Sequence, residues 1–137
     1  MCLQCKDNKF KIADKDIVCY KYVEYSNDTY HTPYKYVSID NEIIEGKKPF
    51  CAKGKTEIHK EDSVFTFEGG VIHTFNTLGA AEEVCKSFGD VEYNAIFKCI
   101  IPKGTKYVEG RFGTEFALVD SYASKEIIFN ELVYKNF

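Results

Sequence analysis

The fold follows from the run Ala95-Ile96-Phe97-Lys98-Cys99-Ile100-Ile101, in which apolar and β-prone residues continue until Pro102. A run of this length that ends at a proline is typical of a strand. A second strand-like segment starts at Tyr107-Val108-Glu109, and a third covers residues 126–134. We therefore expect the last third of the chain to contribute several strands to one sheet, on which the remaining residues pack.

Composition limits the classes of protein to which the chain can belong. Its 137 residues suffice for a hydrophobic core, and we expect residues 1–137 to form a single domain. The 10 tyrosines and 11 phenylalanines favour sheet, because aromatic side chains pack well on a pleated surface. The net charge of -3 argues against nucleic-acid binding, which requires clustered cations. No apolar run approaches the roughly 20 residues of a membrane helix, and no signal-peptide pattern is present, so we expect a cytoplasmic protein.

The N-terminal two thirds predict further strands and one long loop. Residues 17–25 carry apolar side chains on both faces, which favours a strand inside the sheet. Residues 64–67 and 71–75 are also predicted to be strands. Residues 1–13 are expected to be irregular, and the polar residues 40–62 are expected to be mostly loop.

One helix is predicted, over residues 78–88, packed on a mainly antiparallel sheet. The apolar residues that repeat at the spacing of one helix face are Ala81, Val84, Cys85 and Phe88. Asn76 or Thr77 precedes the helix and can cap it. A β-rich chain with one inserted helix predicts the α+β fold class.

Cys2 and Cys5 form the one C-x-x-C motif of the sequence. A structural zinc site needs four ligands, usually two such pairs, and the second pair is missing. Cys51 with His59 or His31 would complete a ligand set only if the fold brought them together. We therefore expect no bound metal, with a zinc site at Cys2 and Cys5 as an alternative.

Other residues that often carry chemistry allow a structural interpretation here. His73 lies inside a predicted strand, where a histidine is more often a hydrogen-bonded structural residue than a catalyst. Glu126 begins the last predicted strand, and it fits either a solvated charge beside Lys125 or a carboxylate that orients a ribose hydroxyl. No serine or cysteine lies in a recognisable nucleophile elbow, so a hydrolase triad has no support.

The C-terminal third resembles the end of the mono-ADP-ribosyltransferase fold. The similar segments are Ile-Pro-Lys-Gly-Thr at 101–105 and Tyr-Ala-Ser-Lys-Glu-Ile-Ile-Phe at 122–129, in which Glu126 matches the family's catalytic glutamate. Ser124 stands where the family has a preceding glutamate. The resemblance implies the same fold and an enzyme that uses NAD.

The same resemblance implies roles for three further residues. Thr74 or His73 would brace the nicotinamide ribose, and Lys21 would contact a phosphate of NAD where the family has an arginine. A lysine does not make the bidentate phosphate contact of an arginine.

The whole chain is also similar to small uncharacterised proteins encoded by bacteriophages and prophages. The shared blocks are the Met-Cys-Leu start, Gly-Gly-Val-Ile-His-Thr-Phe at 69–75 and Cys-Ile-Ile-Pro-Lys-Gly-Thr at 99–105. This similarity implies a phage-associated context and no particular activity.

Together these patterns favour a non-catalytic binding module that needs no cofactor and whose partner is a host protein. The aromatic excess would supply the wall of a pocket or an interface, because tyrosine offers a large contact area with a polar tip. The alternatives are a divergent NAD-dependent mono-ADP-ribosyltransferase and a zinc-stabilised module.

Overall fold

Strands make up most of the chain. The computed structural model describes residues 3–5, 9–33, 37–55, 57–61, 64–68, 70–87, 93–113 and 118–137, with side chains for all of these except 3–5, 57–61 and 64–68. In chain order the elements are β1 (Leu3–Cys5), β2 (Lys11–Ile12), β3 (Ile17–Ser26), β4 (Thr29–His31), β5 (Ser38–Ile39), α1 (Asn41–Glu45), β6 (Phe50–Cys51), β7 (Glu57–Glu61), β8 (Val64–Glu68), β9 (Ile72–Phe75), α2 (Leu78–Ser87), β10 (Asn94–Ile101), β11 (Lys106–Gly113), β12 (Leu118–Ser124) and β13 (Glu126–Asn136).

The strands pair in the order β6, β13, β10, β3, β9, β12, β11, β1, β8 and β7. Strand β2 pairs with β11, while β4 pairs with β3 and β5. All strand pairs within the described ranges are antiparallel. The fold is therefore a β-rich α+β domain with a mainly antiparallel sheet, and this part of the sequence prediction is confirmed.

The two most apolar strands lie side by side inside the sheet. Strand β10 pairs with β3 from Asn94 opposite Glu24 to Ile101 opposite Ile17, and with β13 on its other side. Because both faces of β3 and β10 are covered, alternating residues on each face are apolar, as expected of an interior strand. The predicted interior position of residues 17–25 is confirmed.

Helix α2 covers one face of the sheet. Its Ala81 and Val84 are fully buried and pack in a cluster with Tyr22, Phe75 and Ile96 of the sheet. The helix is capped by Thr77, whose hydroxyl accepts a hydrogen bond from the Ala80 amide at 3.1 Å. The predicted helix and its Thr77 cap are confirmed as far as Ser87, and Phe88 lies outside the described residues.

The opposite face carries the larger core. The sheet residues buried on it include Cys19, Val23, Phe97 and Phe129. A covering segment, residues 32–33 and 37–53, packs over them with Ile39 and Phe50. The rings of Phe97 and Phe129 meet edge to face at 5.2 Å, and Phe50 contacts Phe129 in the same manner at 5.9 Å. A cavity remains between this covering segment and the sheet.

The prediction of a mostly irregular loop over residues 40–62 is wrong. Helix α1 and strands β6 and β7 lie within it. These elements form through tertiary contacts. The apolar side chains of Ile43, Ile44 and Phe50 pack on the core, while most of the residues around them in the sequence are polar. Such isolated contacts give no periodic signal in the sequence.

Two other parts of the sequence prediction also need correction. Residues 1–13 are not wholly irregular, since β1 pairs with β8 and β11, and β2 pairs with β11. Strand β12 was not predicted, because its sequence Leu-Val-Asp-Ser-Tyr-Ala-Ser is of mixed polarity. It pairs with β11 on one side and with β9 on the other, and this pairing holds it in the sheet. Neither helix in the described ranges has the length and apolar content needed to cross a membrane.

Candidate functional site

A cavity lies between the sheet and the covering segment, residues 32–33 and 37–53. Its volume is about 450 Å³, inside the range of roughly 300–1,000 Å³ that is usual for small-molecule sites. The residues that line it are Lys21, Thr32, Pro33, Val37, Ser38, Asp40, Ile43, Pro49, Phe50, Cys51, Ala52, Lys53, Gly70, Val71, Ile72 and His73. The sheet therefore supplies the floor through β3 and the start of β9, and the covering segment supplies most of the wall.

Lys21 is the buried charged group of this cavity. Strand alternation places it on the same face of β3 as Cys19 and Val23, and only 5% of its surface is exposed. Its Nζ donates a hydrogen bond to the carbonyl oxygen of His73 on β9 at 2.9 Å. Within the described part of the chain, no carboxylate lies within 4.0 Å of this Nζ.

Burial changes the acidity of Lys21. Removal from water lowers the pKa of its ammonium from 10.5 to about 8, while the neighbouring thiols of Cys99 and Cys19 oppose the change. A buried ammonium with one carbonyl partner is poorly compensated, because a carbonyl offers only a partial negative charge. The amine is therefore partly neutral near physiological pH.

Thr74 lies beneath the cavity rather than in its wall. The residue is fully buried on the same face as Cys19, and it is absent from the cavity lining. Burial raises the pKa of the Cys19 thiol to about 12, and the nearby Thr74 hydroxyl acts against this rise. That hydroxyl reaches no partner with good hydrogen-bond geometry among the described residues. Thr74 is therefore buried and does not line the cavity, and its role toward NAD stays a prediction.

His73 contributes its carbonyl to Lys21 and a largely buried ring. Burial, followed by the charge of Lys21, lowers the pKa of the imidazole to about 3, so the ring is neutral at ordinary pH. Its Nδ1 is buried and has no hydrogen-bond partner among the residues that the structure describes. The ring cannot serve as a general acid near neutral pH, because it does not carry the second proton there.

Glu126 does not line the cavity. It starts β13, in which Ile127 and Phe129 are buried in the core beneath the covering segment. Because side chains alternate along a strand, Glu126 points to the other side of β13. Ser124 donates its hydroxyl to the backbone carbonyl of Glu126 at 3.2 Å, which fixes the corner between β12 and β13. Glu126 pairs in register with Cys51 of the cavity lining, and its catalytic role stays a prediction.

The corner beside Glu126 is nevertheless tied to the cavity wall. The amide of Ala52 donates to the carbonyl of Lys125 at 2.8 Å, and Nζ of Lys125 donates to the carbonyl of Gly70 at 2.5 Å. Partial burial, followed by the charge of Lys106, lowers the pKa of Lys125. A second cation therefore lies next to the lining residue Gly70.

The structure brings no zinc ligands together in the part that it describes. Cys2 lies outside the described residues, and so do the side chains of Cys5 and His59. Cys51 is exposed in the cavity wall, whereas His31 bonds to Ser26 with 2.6 Å between Nε2 and Oγ. No group of three or more metal-ligating side chains occurs among the described residues.

The aromatic side chains contribute mainly to packing. Tyr25 stacks on Phe137 with ring centroids 4.4 Å apart, and Tyr30 meets Phe97 edge to face at 5.0 Å. Phe50 is the one phenylalanine or tyrosine among the described residues that line the cavity. The expectation that aromatics form a pocket wall therefore finds a single example here.

Sequence reasoning identified Lys21 and His73 but not the opposite wall. Asp40 and Phe50 lie in the range that was predicted to be mostly loop, and nothing in the sequence indicates that they line a cavity with Lys21. The isolated apolar residues of this polar segment, such as Ile43 and Phe50, were the feature that could have indicated its packing on the core.

Comparisons with known proteins found no match: no family model, no curated protein and no solved structure is significantly similar to the chain.

Proposed function

We propose that the protein is a binding domain whose cavity takes a small anionic molecule, with Lys21 as the group that contacts the negative charge. The observation that carries this proposal is the buried Nζ of Lys21 in the cavity, with a carbonyl of His73 at 2.9 Å and no carboxylate within 4.0 Å in the described chain. The binding role follows the sequence prediction, but a small molecule replaces the host protein as the partner.

The physical argument is that a ligand anion supplies the counter-charge that the protein omits. An uncompensated buried cation is destabilising, and a hydrogen-bonded anion offsets the loss of hydration. Binding should also raise the pKa of Lys21 again, because an opposite charge at hydrogen-bond distance favours the ammonium form.

The other residues that line the cavity indicate the polarity of the rest of the ligand. Val37, Ile43, Phe50 and Ile72 supply apolar surface, so the ligand should carry an apolar body as well as its charge. Two exposed charges of opposite sign also line the cavity, Asp40 and Lys53. Because these two are solvated, they contribute little compared with buried Lys21.

NAD belongs among the ligands to be tested, because the resemblance to mono-ADP-ribosyltransferases implies it. Its phosphates would suit Lys21. The transferase proposal additionally requires Glu126, and the position of Glu126 outside the cavity lining separates the two proposals.

The test is thermal unfolding of the wild-type protein with a panel of anions at millimolar concentration, including NAD, pyridoxine 5′-phosphate and simple carboxylates. A ligand that binds only the folded state raises the unfolding midpoint by mass action. The same panel is applied to Lys21→Met, which keeps a similar shape without charge, and to Glu126→Gln.

We expect at least one anion to raise the midpoint in the wild type and in Glu126→Gln, but not in Lys21→Met. Loss of an NAD effect in Glu126→Gln would support the transferase proposal instead. If no anion shifts the wild-type midpoint, or if Lys21→Met responds as the wild type does, the proposed site is wrong.

A further inference from the structure

Lys21 combines two properties that surface lysines lack. It is the one lysine in the described ranges with less than a tenth of its surface exposed, and it nevertheless borders a cavity of about 450 Å³. Its position is fixed, because β3 lies inside the sheet and Nζ is held by the His73 carbonyl of the neighbouring strand. A primary amine is thus presented at a set place to any molecule that fills the cavity.

We propose that Lys21 binds its ligand covalently, as a Schiff base with an anionic aldehyde or ketone. This inference rests on the proposed function and names the chemical class of the ligand. The lone pair of Nζ attacks the carbonyl carbon and forms a carbinolamine. Loss of one water, which takes the carbonyl oxygen and two hydrogens from nitrogen, leaves the C=N bond, and hydrolysis reverses the reaction without an oxidant or a reductant.

Three structural features favour this chemistry. The amine has no carboxylate partner in the described chain that would hold it permanently in the ammonium form. Apolar side chains in the same cavity lining, among them Phe50 and Ile72, offer contact surface for the carbon body of such a ligand. The protonated imine is itself a cation, so a carboxylate or phosphate on the same ligand provides a counter-charge where no described carboxylate lies within 4.0 Å of Nζ.

The acidity of the amine supports the geometry. Only the neutral amine is a nucleophile, and an ordinary lysine is almost wholly protonated at neutral pH. With its pKa lowered by burial to about 8, roughly a quarter of Lys21 is neutral at pH 7.5. The titratable groups that surround it, on β3, β9, β10 and the covering segment, are Cys19, Asp40, Cys51, Lys53, His73 and Cys99.

The experiment is reductive trapping followed by peptide mapping. The full chain is incubated at pH 7.5 with glyoxylate or pyridoxal 5′-phosphate and sodium cyanoborohydride, and adducts are assigned by mass spectrometry. Lys53 at the cavity and Lys103 in a distant turn are the exposed control lysines. We expect adducts to form on Lys21 at least tenfold faster than on either control.

Two controls separate this inference from the proposed function. Pyridoxine 5′-phosphate has an alcohol in place of the aldehyde, so it tests binding without bond formation. Lys21→Arg keeps the positive charge but forms no imine, and Lys21→Met removes both properties. We expect pyridoxine 5′-phosphate to stabilise the wild type, and the adduct to disappear in both variants.

The outcomes differ for each way in which the account can fail. If pyridoxine 5′-phosphate stabilises the protein but neither aldehyde labels Lys21, the covalent step is wrong and the binding site stands. If labelling follows exposure, with Lys53 and Lys103 ahead of Lys21, the covalent step is equally wrong. If Lys21 is labelled but no anion stabilises the protein, the amine is reactive and the proposed anion-binding function fails.

Discussion

Replacement of Lys21 by methionine should stabilise the protein, although it removes a hydrogen bond. The pKa of Lys21 falls from 10.5 to about 8 on folding, and each pKa unit corresponds to about 1.4 kcal/mol. Folding of the wild type near pH 7 therefore carries a penalty of about 3 kcal/mol from this charge. Loss of the bond to the His73 carbonyl takes back about 1 kcal/mol. The expected net gain for Lys21→Met is about 2 kcal/mol.

The sign of the pH dependence provides a second, stronger test of the same substitution. Between pH 8 and 10.5 the unfolded wild type keeps the lysine proton and the folded wild type does not, so wild-type stability rises with pH relative to the variant. The gain for Lys21→Met should disappear over this range. The thiols of Cys19 and Cys99, whose pKa values burial raises, lower the stability of both proteins above pH 9. Because the charge of Lys21 opposes this rise, the thiols destabilise Lys21→Met at least as much as the wild type, which acts in the same direction as the predicted change.

The assay is urea unfolding of both proteins at several pH values from 7 to 10.5, analysed by linear extrapolation. Lys103→Met, in an exposed turn, is the matched control and should change stability by less than about 0.5 kcal/mol. The reasoning is refuted if Lys21→Met is destabilised at pH 7, or if the two stability curves stay parallel up to pH 10.5.

Three further outcomes are expected. Thr77→Ala should lower the free energy of unfolding by about 1 kcal/mol in urea titrations through loss of the α2 cap, and a change below 0.3 kcal/mol would contradict that capping role. His73→Leu should reduce the loss of stability that the wild type suffers as pH falls from 6.5 toward 3, because the folded pKa of His73 is about 3; identical acid unfolding midpoints would contradict this. A thiol reagent should label exposed Cys51 well before buried Cys19 and Cys99, and a cavity ligand should slow the labelling of Cys51; equal labelling with and without the ligand would place it elsewhere.

The interior strands could be predicted from the sequence because their pattern is local. Residues 17–25 and 95–101 are apolar on both faces, and this pattern has one common physical explanation, a strand covered on both sides. Helix α2 was equally predictable, since its apolar residues repeat at helical spacing after a capping threonine. Strand β3 carries Lys21, so the strand that forms the floor of the site could be predicted from the sequence.

The rest of the site depends on contacts between distant residues. Nothing near Lys21 in the sequence indicates that Phe50 and Asp40 line the same cavity, because that arrangement arises when Ile39 and Phe50 bury themselves against the sheet. The burial of Lys21 was also hidden, since a lysine side chain in a strand usually keeps its charged end in solvent. The cavity forms where the covering segment packs over β3 and the start of β9.

The central claim is that Lys21 is a buried amine in a cavity that receives an anion. The most direct measurement is an NMR titration of protein with ¹³C-labelled lysine side chains, followed at the carbon next to Nζ. We predict one resonance that titrates near pH 8, is missing in Lys21→Met, and titrates at higher pH when pyridoxine 5′-phosphate fills the cavity. The account is contradicted if every lysine titrates near pH 10.5, or if no anion alters the titration of the resonance near pH 8.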